Sequence, residues 1–153
     1  MIEIKKILIP TDFSDYSQLA LKYAIAMAES FKARIYLMHV CEHGMSGLGT
    51  EAYHFAVPEF FAEIAKNEQE RLEEMAREVR DRGVEVETVF TTGRAYIDIV
   101  HKAKELDVDV ITLATHGRQG LSHLVFGSTA EKVVRLAPCP VLTIKHPEHE
   151  FVK

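Results

Sequence analysis

Short apolar runs alternate with segments of helical period along the chain, and this alternation restricts the fold more than any other feature. The runs are Lys5 to Pro10, Arg34 to Val40, Val84 to Thr91, Val108 to Leu113 and Pro140 to Lys145. Runs rich in Ile, Val and Leu without a polar alternation suit strands buried on both faces. A helix between consecutive strands forces a crossover, and crossovers of one hand make the pairing parallel. The expectation is an α/β protein with a doubly wound, five-stranded parallel sheet, Rossmann-like, with helices on both faces. Val84 to Thr91 differs: it alternates as Val-Glu-Val-Glu-Thr-Val, which suits an edge strand with one half-wet side.

The helical segments carry their own punctuation. Thr11-Asp12-Phe13-Ser14-Asp15 supplies N-cap chemistry for a first helix running to about Phe31, with Ala20, Tyr23, Ala24, Met27, Ala28 and Phe31 on one face. A second runs from Pro58 to about Arg82, with Phe61, Ile64, Ala65, Leu72, Met75, Ala76 and Val79 inward. Glu73–Arg77 and Glu78–Arg82 stand at the favourable i,i+4 spacing, the dense charges read as a solvated face, and Gly83 is the stop. Tyr96, Ile99, Val100, Ala103 and Leu106 mark the third helix. The fourth spans Ser128 to Leu136, with Ser128 and Glu131 at capping-box spacing and Pro138 and Pro140 beyond it. Residues 41–57, with Gly44, Gly47 and Gly49, form a loop that is either a variable surface segment or a lid. Residues 1–153 read as one domain with a frayed tail at 146–153.

Composition narrows the classes. With 47% hydrophobic and 27% charged residues the chain reads as soluble and globular. A net charge of −5 with mixed signs leaves no basic stripe for a nucleic-acid backbone. No apolar run spans a bilayer, no signal-peptide pattern opens the chain, and Cys41 and Cys139 are too few for a disulfide framework. The expected location is cytoplasmic.

Chemistry concentrates between Ile111 and Ala130. An apolar run ends in the small residue Ala114, Gly117 follows, and Gly127-Ser128 opens the last helix after nine intervening residues. A small residue at a strand's carboxyl end lets a ligand approach the backbone. A Gly-Ser pair at a helix start offers free N–H groups to an anion. Together they read as a seat for a phosphate-bearing ligand.

This stretch resembles the nucleotide-binding segment of the universal stress protein family, whose pattern is Gly, two residues, Gly, nine residues, then Gly with Ser or Thr. Ile7-Leu8-Ile9-Pro10-Thr11-Asp12-Phe13-Ser14 is similar to that family's first strand and turn, and Pro138-Cys139-Pro140-Val141-Leu142 to its last strand. The resemblance implies a strand order of 3-2-1-4-5 and ATP or AMP as ligand, with Mg²⁺ or Mn²⁺ as an open question. It also implies roles. Asp12 would accept from the ribose hydroxyls or bear on a metal, and Val40 would offer backbone groups to the adenine edge. Pro10, Thr11, Leu113 and Ala114 would line base and sugar, while Gly117, Arg118, Gly127, Ser128 and Thr129 would cradle the phosphates. Ala114 stands where the pattern has its first glycine, so a methyl there either sets the sugar back or is accommodated by a slight backbone shift. Physical chemistry allows Asp12 a second role as a plain N-cap, Arg118 a solvated one, and His116 either a phosphate contact or a strand cap.

Turnover chemistry has no signature. There is no Gly-x-x-x-x-Gly-Lys-Ser/Thr loop, no Gly-x-Ser-x-Gly elbow and no His-Glu-x-x-His. His39, Cys41 and His43 alternate and would share a face if the second strand continued, giving zinc-type chemistry, but Gly44 argues that the strand ends near Val40. His146 and His149 lie in the tail. The resemblance further implies a homodimer formed by pairing the last strand, Val141-Leu142-Thr143-Ile144, across a two-fold axis. The expected function is a stress-response sensor or switch that binds ATP or AMP with little or no hydrolysis. Its rival is a nucleotide-free dimeric interaction module; an ATP-consuming transferase ranks behind both.

Overall fold

The computed structural model describes residues 1–42, 57–116 and 126–145. Along these the elements run β1 (Lys6–Pro10), α1 (Asp15–Phe31), β2 (Arg34–Cys41), α2 (Val57–Asp81), β3 (Val86–Thr92), α3 (Ala95–Leu106), β4 (Val110–Ala114), α4 (Ser128–Leu136) and β5 (Val141–Ile144). The strands form one parallel sheet in the order β3-β2-β1-β4-β5. The expected architecture and order are therefore present, with β3 at one edge and β5 at the other.

Side-chain direction along each strand sorts the core into two layers. Ile7, Ile9, Ile35 and Leu37 point to one face, where Ala20, Ala24 and Ala28 of α1 and Leu72, Ala76 and Val79 of α2 cover them. Leu8, Tyr36, Met38, Ile111 and Leu113 point to the other, against Ile99 and Ala103 of α3 and Ala130 and Val133 of α4. Burying a side chain of Leu or Ile size stabilises by about 1.5–3 kcal/mol, so the central strands, apolar toward both layers, carry much of the fold. Phe31 does not join this core. It is 44% exposed at the end of α1, while Leu19, Leu21 and Ile25 are buried instead.

The charges of α2 pair differently from the i,i+4 expectation. Arg77 meets Glu74 at 3.9 Å, Arg80 meets Glu73 at 3.5 Å, and Arg82 reaches Glu29 on α1 at 3.2 Å. Glu73 also accepts from the Thr88 hydroxyl of β3. Arg77 and Arg80 thus stay paired within α2, while Glu29 of α1 and Thr88 of β3 are tertiary partners for Arg82 and Glu73.

One end of the sheet is tied by main-chain contacts. The Asp109 carboxylate accepts from the N–H groups of Lys5 at 2.7 Å and Lys6 at 2.8 Å, and Lys6 Nζ donates to the Leu106 carbonyl at 2.8 Å. The returns from helix to strand turn through left-handed residues: Lys32 (φ 56°), Gly83 (φ 80°) and Asp107 (φ 51°). Gly83 pays no Cβ penalty there. No helix among the described residues is long and apolar enough to cross a membrane.

Candidate functional site

The strand order reverses between β1 and β4, which pair at Ile7↔Val110 and Leu8↔Ile111. From β1 the chain leaves to α1 on one face, and from β4 it proceeds to α4 on the other. Diverging connections open a crevice beyond the carboxyl ends of the two strands, the place where ligands sit in such sheets.

At the end of β1, Thr11 is turned inward. Its N–H donates to the Met38 carbonyl at 2.8 Å, and its hydroxyl, 3.0 Å from that of Ser17, accepts from the Phe13 N–H at 3.1 Å. Asp12 is not the N-cap of α1. Ser14 is, accepting from the Ser17 N–H at 3.2 Å, while Asp12 Oδ1 accepts from the Ser14 N–H at 3.0 Å and from its hydroxyl at 2.5 Å. This is an Asx turn, in which a short carboxylate imitates a backbone carbonyl two residues ahead. It fixes Asp12 at the crevice rim.

Phe13, between them, has φ 64°. A bulky residue in the left-handed region costs about 1–3 kcal/mol and persists only where its surroundings over-determine it. Those surroundings are specific. The Phe13 ring lies 4.3 Å from the His39 ring and 4.6 Å beneath the Arg71 guanidinium, and Arg71 Nη2 donates to the Phe13 carbonyl at 3.4 Å. His39 is 4% exposed, with Nδ1 2.7 Å from the Thr11 carbonyl and Nε2 3.0 Å from Glu68 Oε2. Both ring nitrogens are thus engaged by protein, and the described residues contain no cluster of three or more metal-type side chains. His43, the third member of the alternating trio, lies outside the described residues, as do His146 and His149.

At the end of β4, Leu113 is buried toward the α3–α4 layer, and the Ala114 methyl packs against the α1-side cluster. Thr115 follows, its hydroxyl 2.9 Å from His116 Nδ1, and the His116 ring stands 5.7 Å from that of Tyr16 on α1. The Gly127 N–H donates to the Thr115 carbonyl at 2.6 Å. A Cβ on Gly127 would sit 3.2 Å from that same oxygen, so a side chain there fits only if the Thr115 carbonyl gives by a few tenths of an ångström. Ser128 is not the helix cap: Gly127 occupies that position with extended geometry (φ −70°, ψ 159°), and among the described residues no side chain caps α4. The first-turn N–H groups, beginning with Ser128 and Thr129, are left without partners in their own helix, and the helix dipole favours an anion beside them. That donor set fits a phosphate group.

Of the expected site residues, Pro10, Thr11 and Asp12 come together at one strand end, and Leu113, Ala114, Gly127, Ser128 and Thr129 at the adjoining one. Val40 lies on β2 past its last pair with β1, Pro10↔Met38, and opposite Thr91 of β3. Gly117 and Arg118 lie outside the described residues. Sequence reasoning missed Phe13, Glu68 and Arg71. The signal available was weak: Glu68 and Arg71 stand one turn apart and face the same way, but within a helix charged on every solvent side.

Fold and crevice together define a doubly wound α/β protein with a five-stranded parallel sheet. The match to the universal stress protein family covers residues 3–145, and the chain belongs to that family. It is 37% identical to universal stress protein MJ0531 of Methanocaldococcus jannaschii, over 95% of this chain and 85% of that one. The fold superposes on universal stress protein UspA from Lactobacillus plantarum with a TM-score of 0.83 and 25% identity, covering 94% of this chain and 99% of the other. Two more distant structures share the fold. A family protein from Arabidopsis thaliana with AMP bound has a TM-score of 0.64 at 22% identity, covering 94% of this chain and 93% of that one. A universal stress protein in complex with cAMP has a TM-score of 0.65 at 19% identity, covering 94% and 98%.

Proposed function

We propose that the protein binds an adenine nucleotide, ATP or AMP, in the crevice between β1 and β4, and acts as a sensor or switch with little or no hydrolysis. The observation that carries this reading is the Gly127–Thr115 contact, which sets an α4 start without a side-chain cap against the end of the strand next to the Asp12 turn. In this arrangement the N–H groups of Ser128 and Thr129 take the phosphate and Asp12 takes the ribose hydroxyls. Pro10, Thr11, Leu113 and Ala114 line the base and sugar, and Val40 offers backbone groups to the adenine edge. Gly117 and Arg118 belong to the same reading through the motif. The AMP and cAMP found in relatives of this fold support the ligand class.

The test is thermal melting with and without ATP and AMP, together with mass analysis of nucleotide carried through purification. Ligand at a hundred times its dissociation constant stabilises by about 2.7 kcal/mol, a rise of several degrees at this chain length. No rise and no carried nucleotide would favour the alternative, a nucleotide-free interaction module. Turnover on the order of 10 per second would show an enzyme instead.

A homodimer through β5 is part of both readings. Leu142 is 37% exposed on this edge strand, and Val134 and Leu136 of the neighbouring α4 are 44% and 56% exposed. An open apolar edge is a surface that a second copy covers by strand pairing. Sedimentation of the wild type against Leu142→Lys, with the monomer expected for the variant, tests it.

A further inference from the structure

The turn that carries Asp12 is shaped by side chains of α2 that belong to neither strand of the crevice. Glu68 and Arg71 stand three residues apart, hence on one helix face. Glu68 holds the His39 ring through Nε2, and His39 holds the Thr11 carbonyl through Nδ1. A carbonyl can only accept, so Nδ1 is the donor in the contact with Thr11. Arg71 holds the next residues: it donates to the Phe13 carbonyl and covers the Phe13 ring. Phe13 in turn rests on His39, and Thr11 accepts the Phe13 N–H. The left-handed residue at the centre of the Asx turn is thus clamped from one side by one helix.

We infer that Glu68 and Arg71 are positioning residues for the nucleotide: acting through His39 and Phe13, they hold the Asp12 turn in its binding geometry and make affinity depend on the seating of α2.

The inference rests on the nucleotide reading above, and its test separates the two. AMP affinity is measured by calorimetry for the wild type, Glu68→Leu, Glu68→Gln, Arg71→Leu and Arg71→Lys, each also combined with Asp12→Asn. Amide hydrogen exchange is followed at Phe13 and Ser14 in the ligand-free proteins, against Ile35 and Leu37 as a measure of global opening. Glu68→Leu and Arg71→Leu should each weaken AMP by about tenfold, the size of coupling seen between contacting residues. Glu68→Gln should restore most of it, because its amide can donate to Nε2 of a neutral imidazole. In the Asp12→Asn background the Leu effects should shrink to below about twofold, and full additivity overturns the inference. Unchanged affinity in both Leu variants overturns it too. Where one Leu variant does not fold, the other carries the comparison. A wild type that binds no AMP defeats the nucleotide reading alone, and exchange then decides: faster exchange at Phe13 and Ser14 than in the core supports positioning, and unaltered exchange overturns it.

Discussion

Gly127 and Thr115 meet main chain to main chain, N–H to carbonyl at 2.6 Å, and so bring the start of α4 onto the end of β4. The contact makes a prediction about size. In Gly127→Ala the new methyl lies 3.2 Å from the Thr115 oxygen, and crowding of this kind costs about 1–3 kcal/mol. The lost flexibility of the unfolded chain offsets about 0.4–1 kcal/mol, so crowding wins. A net loss of about 1 kcal/mol should lower the melting temperature by roughly 2–4 °C, and AMP affinity should fall with it. An unchanged melting temperature would mean that strand and helix yield freely at this point.

Ala114 tests the departure from the motif. Its methyl packs against the α1-side cluster, so it is held by the core. Ala114→Gly should therefore cost about 0.5–1 kcal/mol of stability and change AMP affinity by less than about threefold, well under the 1.4 kcal/mol of a tenfold effect. A gain of tenfold or more on calorimetry would show the methyl to be an obstacle to the sugar.

Thr112 sits at 0% exposure in the middle of β4, and among the described residues its hydroxyl has no hydrogen-bond partner. Burying an unpaired hydroxyl costs about 1–3 kcal/mol by protein measurements. Thr112→Val replaces it with a methyl of similar shape. The variant should be more stable by about 1 kcal/mol, seen as a higher urea midpoint with an unchanged slope.

Cys139 gives a pH dependence. Burial pushes its thiol above the usual range, the Asp109 carboxylate adds to this, and a main-chain bond from Ile111 works against it. A thiol raised in the folded state binds its proton more tightly there than in the unfolded chain. Its contribution to stability is full below the ordinary thiol value and is lost as pH rises through the raised one. In a Cys41→Ser protein, the rate of alkylation of Cys139 by iodoacetamide should therefore show a midpoint above that of a free thiol. A midpoint at or below it would mark the cysteine as activated.

Much of the frame was legible in the sequence because strands buried on both faces must be apolar throughout: Ile7-Leu8-Ile9 and Ile35 to Val40 could serve little else. The order of strands came from likeness to a family, not from periodicity, since nothing in a single run says which neighbour it takes. At the site, Gly127 was legible as a glycine, yet its reason is the Thr115 carbonyl, which only three dimensions supply. Phe13 carried no signal, because no residue type announces a left-handed phenylalanine. Glu68 and Arg71 are not distinguished in the sequence from the dense charges of α2 that read as a solvated face, because a helical wheel treats a helix as if it ended with its neighbours. Here α2 also reaches the β1–α1 turn, where a charged side chain has a carbonyl or an imidazole to meet.

The left-handed stops at Lys32, Gly83 and Asp107 have an evolutionary corollary. They belong to returns of two to four residues, and Asp109 pins the same pole to the first strand. The departures toward α2 and α4, residues 42–56 and 115–127, are several times longer. Relatives can therefore diversify by lengthening or rewriting one hemisphere while the other stays a fixed chassis, and new specificities should accumulate on the hemisphere that already holds Asp12 and Gly127.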